Sequence, residues 1–303
     1  MAGRMRLPSP TLIAALAAAV LSLPVLAQAP AAPVYRIVES ATRSPIDVDT
    51  LAAKLAAADV AFFGERHDDV TGHQVQRLLV EAIAARRDNV TLALEMFERD
   101  AQEPLDHFQM GHTEEAEFLA AARPWPQYVR DYKPLVDFAI ARQWPVVAGN
   151  VPRSIAAEVV KDGMAVLGGR TDAERRLFAA DLQCAASGPY FDRFVAALGT
   201  HGQTPSDVSP VRYYESQCLK DETMAESIAQ AHAAGSIGGR RPLVLSVNGT
   251  VHVDFRLGTV ERVARRLPRA SIVTVTTAPA AGGAEPMSPE VLARADYVVW
   301  TGK

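Results

Sequence analysis

Residues 60–67 read Val60-Ala-Phe-Phe63-Gly64-Glu65-Arg66-His67, an apolar run that ends in a glycine and charged side chains. Similar apolar runs recur along the chain at Val90–Leu94, Pro145–Ala148, Leu243–Val247 and Ser271–Thr276. Amphipathic stretches of helical length separate these runs. Uniformly apolar strands that alternate with helices are typical of a parallel sheet covered on both faces. The sequence therefore predicts an α/β fold, with a mostly parallel central sheet and helices on both faces.

The spacing also predicts where the helices lie and where the domain begins and ends. Shorter helices are expected at Gly72–Arg86, Asp100–Met110, Pro152–Lys161 and Val260–Leu267. Two long helical stretches, 100–144 and 163–236, show no strand pattern, and we expect them to pack together as a cap over one edge of the sheet. We assign residues 55–277 to this domain, 28–54 to an N-terminal lead-in and 278–303 to a C-terminal extension.

Residues 1–27 have the features of a secretory signal peptide: two arginines, an apolar run, and small residues before a cut near Ala27 or Ala29. The alternative is an uncleaved membrane anchor. The apolar run contains Pro24, however, and is shorter than the roughly 20 residues that a spanning helix needs. No cysteine lies near the predicted cut, so a lipid anchor is not predicted. We expect a periplasmic or secreted protein.

The charge of the chain and its distribution limit the class of partner that the protein can bind. Lys+Arg number 31 and Asp+Glu 35, which gives a net charge of −4, and the basic residues are scattered along the chain. Nucleic-acid binding needs a basic stripe, so no nucleic-acid partner is predicted.

In an oxidising compartment Cys184 and Cys218 can form a disulfide. We expect this bridge to join two helices; the alternative is two separate buried thiols.

Polar side chains follow four of the predicted strands: Glu65 and His67, Glu95, Asn150 and Arg153, and Asn248 and His252. Because the carboxyl ends of parallel strands meet at one edge of a sheet, we expect these side chains to form one site. The alternative interpretation is a hydrogen-bonded polar network that only shapes a pocket.

Two chemistries suit the acidic and imidazole groups of this cluster. His67, Glu95 and His252 are ligand types for Zn²⁺ or Mn²⁺, with Glu65 left to act as a base. Without a metal, one histidine could act as general base on water while a carboxylate orients it. In either case Glu65, His67, Glu95 and His252 are the candidate catalytic residues of a hydrolase.

A second polar signal lies in the first helical stretch. Tyr128 and Tyr132 are four positions apart, which predicts that they share one helix face. A tyrosine phenolate can ligate haem iron, and Arg123, Arg130 and Arg153 are predicted within reach of haem propionates. The alternative is amphipathic packing with the hydroxyl at the surface. The sequence lacks a Cys-x-x-Cys-His motif, so covalently attached haem is excluded.

The remaining histidines show no partner spacing, and we expect them to be exposed: His73, His107, His112, His201 and His232.

Six segments together resemble the ChaN-like haem-binding family, within the wider group that includes Tiki proteases, TraB-type proteins and erythromycin esterase. These segments are Phe63–Asp68, Ala93–Asp100, Trp125–Leu135, Val147–Arg153, Lys220–Ala225 and Asn248–His252. The resemblance covers roughly residues 55–277. It implies an exported protein that binds haem non-covalently in iron acquisition, as a homodimer with haems shared between two subunits.

The resemblance also assigns residues. It implies a tyrosine ligand to the haem iron, for which we favour Tyr132 over Tyr128 because Arg130 is its near neighbour. The candidate haem-binding residues are Tyr132, Tyr128, Arg153, Asn150, His67 and His252. In the enzyme relatives, the residues that match His67, Glu95 and His252 serve catalysis or metal binding. A hydrolase is therefore the alternative function, and an interaction module with an inactive site is the third.

The best-known ChaN-type proteins are lipid-anchored. Here the predicted cut has no acceptor cysteine, so membrane tethering is not predicted.

Overall fold

The computed structural model describes residues 34–201, 208–280 and 287–302. Its strands are β1 (Tyr35–Glu39), β2 (Ser44–Ile46), β3 (Val60–Glu65), β4 (Val90–Glu98), β5 (Val146–Asn150), β6 (Leu243–Gly249), β7 (Ile272–Pro279) and β8 (Tyr297–Thr301). Its helices are α1 (Val48–Ala56), α2 (Val70–Ala84), α3 (Gln102–Gln109), α4 (Glu115–Ala122), α5 (Tyr128–Asp131), α6 (Lys133–Ala141), α7 (Arg153–Asp162), α8 (Asp172–Arg175), α9 (Pro189–His201), α10 (Pro210–Gly235), α11 (Thr259–Arg266) and α12 (Pro289–Leu292).

The strands form one sheet in the order β2-β1-β8-β7-β3-β6-β4-β5. From β8 to β5 every neighbouring pair is parallel, while β1 runs antiparallel to β8 and β2. All five apolar runs quoted above lie in the parallel part. The α/β prediction with a mostly parallel sheet is confirmed.

Alternate residues of the central strands contribute to two separate apolar cores. Ala61 and Phe63 pack with side chains from α1 to α6 on one face. Val60 and Phe62 pack with side chains from α10 and α11 on the other face. Because successive residues of a strand point to opposite faces, a strand buried on both faces must be apolar throughout. This explains why the runs read as continuous rather than alternating.

The two long helical stretches do not pack together, contrary to the expectation from sequence. Helices α3 to α6 lie on the face that α2 covers, whereas α10 covers the opposite face. Each stretch has its own apolar sheet face to bury, so they separate. Helix α3 covers the free edge of β5: Gln102 Oε1 accepts the Ala148 N–H at 2.7 Å, and Gln109 Oε1 accepts the Val146 N–H at 2.9 Å.

Three strands were not predicted from sequence. The lead-in contains β1, β2 and most of α1, and the C-terminal extension contains β8. Strand β1 pairs with β8 from Tyr35 opposite Thr301 to Glu39 opposite Tyr297. Both regions outside 55–277 therefore contribute strands to the same sheet.

Cys184 and Cys218 form a disulfide, with their Cα atoms 5.6 Å apart, as predicted. Only Cys218 lies in a helix, α10, so the expectation that the bridge joins two helices is wrong for Cys184. The Gln183 N–H donates to the Glu222 side chain at 3.2 Å. Because the Gln183 N–H bonds to Glu222 on α10, it cannot also make the backbone hydrogen bond that a helix around Cys184 would require.

None of the helices in the described ranges combines the length and the apolar character needed to cross a bilayer. The signal peptide predicted at residues 1–27 lies outside the described residues.

Candidate functional site

The ends of four neighbouring strands supply the polar side chains of one cluster. Glu65 is the last residue of β3, Asn150 the last of β5, and Gly249 the last of β6, just before His252. Glu95 lies in β4, where the pairing with β5 shifts between Leu94 and Glu98. The strand-end residues thus lie where the parallel topology places them.

Glu65 is the centre of the first half of the cluster. Its carboxylate is buried and accepts three hydrogen bonds. The His67 Nδ1 atom lies 2.9 Å from Oε1, and the Tyr132 hydroxyl donates to the same oxygen at 2.6 Å. The Gln76 side chain donates to Oε2. A buried carboxylate needs such partners, and these three fix its position.

His73 was predicted to be exposed, and this prediction is wrong. Its ring is buried, with Nδ1 3.2 Å from Gln76 Oε1 and 3.5 Å from Glu65 Oε2. The carboxylate of Asp131 lies 3.7 Å from the other ring nitrogen. A signal was present in the sequence: His73 and Gln76 are three positions apart on α2, which places both polar groups on the face that carries its buried apolar residues.

The second half of the cluster is centred on His252, which is buried between two carboxylates. Nδ1 lies 2.7 Å from Asp221 Oδ1, and Nε2 lies 3.4 Å from Glu95 Oε1. The Tyr190 hydroxyl donates to Asp221 Oδ2 at 2.6 Å, and the Thr259 hydroxyl donates to Oδ1 at 2.8 Å. Asp221 and Tyr190 were not predicted as site residues. They come from α10 and α9, far from the strand ends in sequence.

Two glycines allow the halves to meet. A Cβ atom at Gly249 would lie 2.9 Å from His67 Nε2 and 3.6 Å from Glu95 Oε2. At Gly258, where φ is +58°, a Cβ atom would lie 2.8 Å from the His252 carbonyl oxygen. A side chain at 249 would separate His67 from Glu95, and one at 258 would displace His252.

The charges in the cluster favour ionised groups. Burial alone would raise the pKa of Glu95, but His252, His67 and the Gly249 N–H lower it to about 2. Burial likewise opposes protonation of His252, yet Glu95 and Asp221 raise its pKa to about 10. The pKa of His67 is raised by Glu65 and Glu95 in spite of burial. The shifts of Glu95 and His252 favour a carboxylate and an imidazolium group side by side.

The two candidate tyrosines do not share an environment. Tyr128 packs against Phe97 and Phe118, with ring centroids 5.6 and 6.2 Å away, and burial raises the pKa of its hydroxyl. Tyr132 faces Glu65 instead. The Tyr132 N–H donates to the Tyr128 carbonyl oxygen at 2.9 Å, so one helical turn joins the two residues although α5 ends at Asp131 and α6 begins at Lys133. Both rings are buried, so the alternative with the hydroxyl at the surface is wrong.

The arginines predicted to meet an acidic ligand are paired within the chain. Arg123 donates to Asp100 at 2.6 Å, and Arg130 forms two hydrogen bonds with the Asp131 carboxylate, each 2.7 Å long. Arg153 pairs with Glu98. Asn150 donates to the Glu95 carbonyl oxygen at 3.1 Å, which fixes the backbone beside the site.

In the parts of the chain that the structure describes, no three His, Cys, Asp or Glu side chains are placed to hold a metal ion. The alternative Zn²⁺ or Mn²⁺ site at His67, Glu95 and His252 is not supported.

Comparison with known proteins identifies the family. The sequence model described as haem-binding uptake, Tiki superfamily, ChaN matches residues 51–263, which include both halves of the cluster. The chain belongs to this family. Among solved structures, the ChaN family member from Campylobacter jejuni, described as binding haem cofacially, has a TM-score of 0.63 to this chain. The two share 18% identity over 88% of this chain and 96% of that one, which establishes a common fold.

Two further relatives are more distant. The chloroplastic protein RETICULATA-RELATED 5 of Arabidopsis thaliana is 26% identical over 248 residues. The match covers 75% of this chain and 32% of that protein, so the chain spans about a third of its relative's length. The erythromycin esterase EreC, solved as a point mutant in its open conformation, has a TM-score of 0.45 and 12% identity over 81% of this ChaN-family chain and 77% of that one.

The aromatic rings of the site lie at different depths. The His67 side chain is 39% exposed and lies edge-on to Trp125, with ring centroids 4.8 Å apart. Three exposed apolar residues lie within three positions in the sequence of a site residue: Val70, Val129 and Val251. Tyr132 lies deeper, with its ring centroid 6.2 Å from that of Trp125.

Proposed function

We propose that this protein binds haem non-covalently at the strand-end site and handles it in iron acquisition. Membership of the haem-binding uptake family supports the ligand. The observation that carries the proposal is the contact between Tyr132 and Glu65, 2.6 Å long, beneath the partly buried His67–Trp125 pair. A phenol that binds ferric iron must lose its proton, and here a carboxylate is in place to accept it.

We propose Tyr132 as the iron ligand. In the structure its hydroxyl is protonated, because burial and Glu65 raise its pKa. Ferric iron would supply the charge that favours the phenolate, and Glu65 would receive the proton. Since Trp125 lies beside Tyr132, ligation also requires the segment around Trp125 to move aside. His67 would contact the haem, its orientation fixed through Nδ1 by Glu65, as metal-site histidines commonly are.

Tyr132→Phe is expected to weaken haemin binding about ten- to a hundredfold and to abolish the ferric-tyrosinate absorption band, because only the ligating oxygen is removed. The same change costs about 1–3 kcal/mol of stability, since it removes one hydrogen bond from a buried carboxylate. Haemin titration followed by visible absorption measures both affinity and ligand type.

Tyr128→Phe is the matched control, because the Tyr128 ring packs among Phe97 and Phe118. It should bind haemin as the parent does and retain the band. An unchanged affinity and spectrum in Tyr132→Phe would show that Tyr132 is not the ligand. A parent protein that gives no saturable haemin spectrum would contradict haem binding itself.

We also propose export and a homodimer. The signal-peptide pattern at residues 1–27 supports export, as does the Cys184–Cys218 disulfide, because such bridges persist in oxidising compartments. The dimer rests on the family resemblance. Light scattering of the haemin complex would give a mass of two chains if haem is shared between subunits.

A hydrolase is the second candidate function, and the arrangement at Gly249 favours it. His67 Nε2 and Glu95 Oε2 both approach Gly249, which has no side chain to separate them. We propose that the substrate water binds between them. In its unprotonated form, His67 could take a proton from that water while Glu95 orients it.

If the protein is a hydrolase, Glu95→Gln should lower turnover of an ester or peptide substrate about a hundredfold or more. The amide retains the shape of the side chain and an acceptor for the Gly249 N–H, so the fold should persist. Glu98→Gln, on the same strand but paired with Arg153, is the control and should keep its turnover. Equal rates in the parent and Glu95→Gln would contradict this function.

A further inference from the structure

A cavity of about 650 Å³ lies at the amino-terminal edge of the sheet, at the opposite end from the strand-end site. Residues that directly precede three central strands line it: Asp59 before β3, Pro242 before β6 and Ala270 close before β7. Four arginine residues also line it: Arg240, Arg241, Arg266 and Arg269. Basic residues that look scattered in the sequence are therefore gathered by the fold.

The carboxylate in this cavity is already satisfied. Asp59 pairs with Arg241, and its Oδ2 accepts hydrogen bonds from the Ser271 N–H and hydroxyl, both at 2.8 Å. Burial would raise the pKa of Asp59, but Arg241 and Ser271 hold it well below its usual range. The negative charge of Asp59 therefore balances that of Arg241 and does not balance the charges of the other arginines that line the cavity.

The other three arginines differ in their partners. Arg266 pairs with Glu222 and donates to the Asp181 carbonyl oxygen. Arg240 and Arg269 are exposed, and neither guanidinium has a hydrogen bond or ion pair with any residue of the described ranges.

A further guanidinium lies behind Arg241. Arg87 donates to the Arg241 carbonyl oxygen at 2.6 Å, and burial together with the Arg241 charge lowers its pKa. The cavity thus has an excess of positive charge in a chain whose net charge is −4.

Helix ends do not account for this excess. Helices α10 and α11 end beside the cavity, and a helix carboxyl end favours basic residues in its last turn. That explains Arg266, the last residue of α11. Arg240 lies five residues beyond the end of α10, and Arg269 lies three beyond α11, so both are outside the last turns.

We propose that this cavity binds a small molecule that carries two or more oxyanion groups, phosphate or carboxylate. A guanidinium group offers two parallel N–H donors that match an oxyanion, and two such groups are uncommitted here. The volume is in the range of pockets that enclose small molecules, and the basic groups form no extended stripe of the kind nucleic acids need.

Calorimetric titration of the purified full chain with sodium pyrophosphate and, separately, with citrate tests the proposal. The parent is expected to bind at least one of them with one site per chain, and the one bound identifies the oxyanion class. Arg240→Ala/Arg269→Ala is expected to weaken that binding about a hundredfold, roughly tenfold for each lost guanidinium.

Lys54→Ala/Arg77→Ala removes the same charge from exposed positions on α1 and α2 and is the matched control. It should bind like the parent. Because Arg240 and Arg269 are exposed, their double variant should also keep the parent's melting temperature without ligand. The proposal is overturned if the parent binds neither anion in a saturable way. It is equally overturned if the Arg240/Arg269 variant binds like the Lys54/Arg77 control.

Discussion

Asp221→Ala is expected to lower the free energy of unfolding by about 3–5 kcal/mol, because it removes one member of a buried ion pair and leaves the other uncompensated. Asp221 has no exposed surface and accepts hydrogen bonds from His252, Tyr190 and Thr259. All three donors lose their acceptor in the variant. Denaturation by urea, with the midpoint and slope compared to the parent, measures the loss.

The same variant should show a characteristic pH dependence. The pKa of His252 is raised from 6.5 to about 10 by Glu95 and Asp221 in spite of burial. The stability gained from its protonation is therefore fully present below pH 6.5 and is lost as the pH rises towards 10. Without Asp221 the part of that gain that Asp221 supplies is lost, while the part from Glu95 remains. The difference between parent and variant should be largest below pH 6.5 and should shrink at higher pH.

Asp137→Ala is the control for this measurement. Asp137 pairs with Lys133 on the surface of α6, with half of its side chain exposed, so its loss should cost less than about 1 kcal/mol. A cost for Asp221→Ala as small as that of the control would mean that Asp221 does not stabilise a charged His252.

The central strands could be predicted because burial on both faces forces them to be apolar throughout. Strands β1 and β2 are short and partly exposed, so they lack this signal. Strand β8 is fully buried, but its run of five residues lies within the stretch assigned to the C-terminal extension. What places it in the sheet is its pairing with β7 and β1, which is not visible in the sequence of either.

The part of the site that lies at the strand ends could be predicted from the sequence. Glu65, Glu95 and His252 were expected together because parallel strands end at one edge, and the structure brings them together. Asp221 was not predicted, although its segment, Lys220–Ala225, is part of the family resemblance. A helix that crosses the far face of the sheet has no fixed register with the strand ends, so packing alone decides which of its residues reaches His252.

The different surroundings of the two tyrosines could not be predicted from their spacing. A spacing of four predicts a shared helix face, but not which groups lie opposite it. Packing decides that Tyr132 contacts Glu65 while Tyr128 lies among phenylalanines.

Loss of the disulfide should be the other large effect on stability. Cys184 and Cys218 are 34 positions apart, and a loop of that size predicts about 3–4 kcal/mol, chiefly because the bridge restricts the unfolded chain. Cys184→Ala/Cys218→Ala is preferred to serine, since Cys218 is fully buried and a hydroxyl there would need a partner. Denaturation with and without reductant separates the bridge from the packing of the sulfur atoms: reductant should destabilise the parent by this amount and leave the double variant unchanged. The expectation fails if reductant has no effect on the parent, or if denatured, unreduced protein shows two reactive thiols per chain.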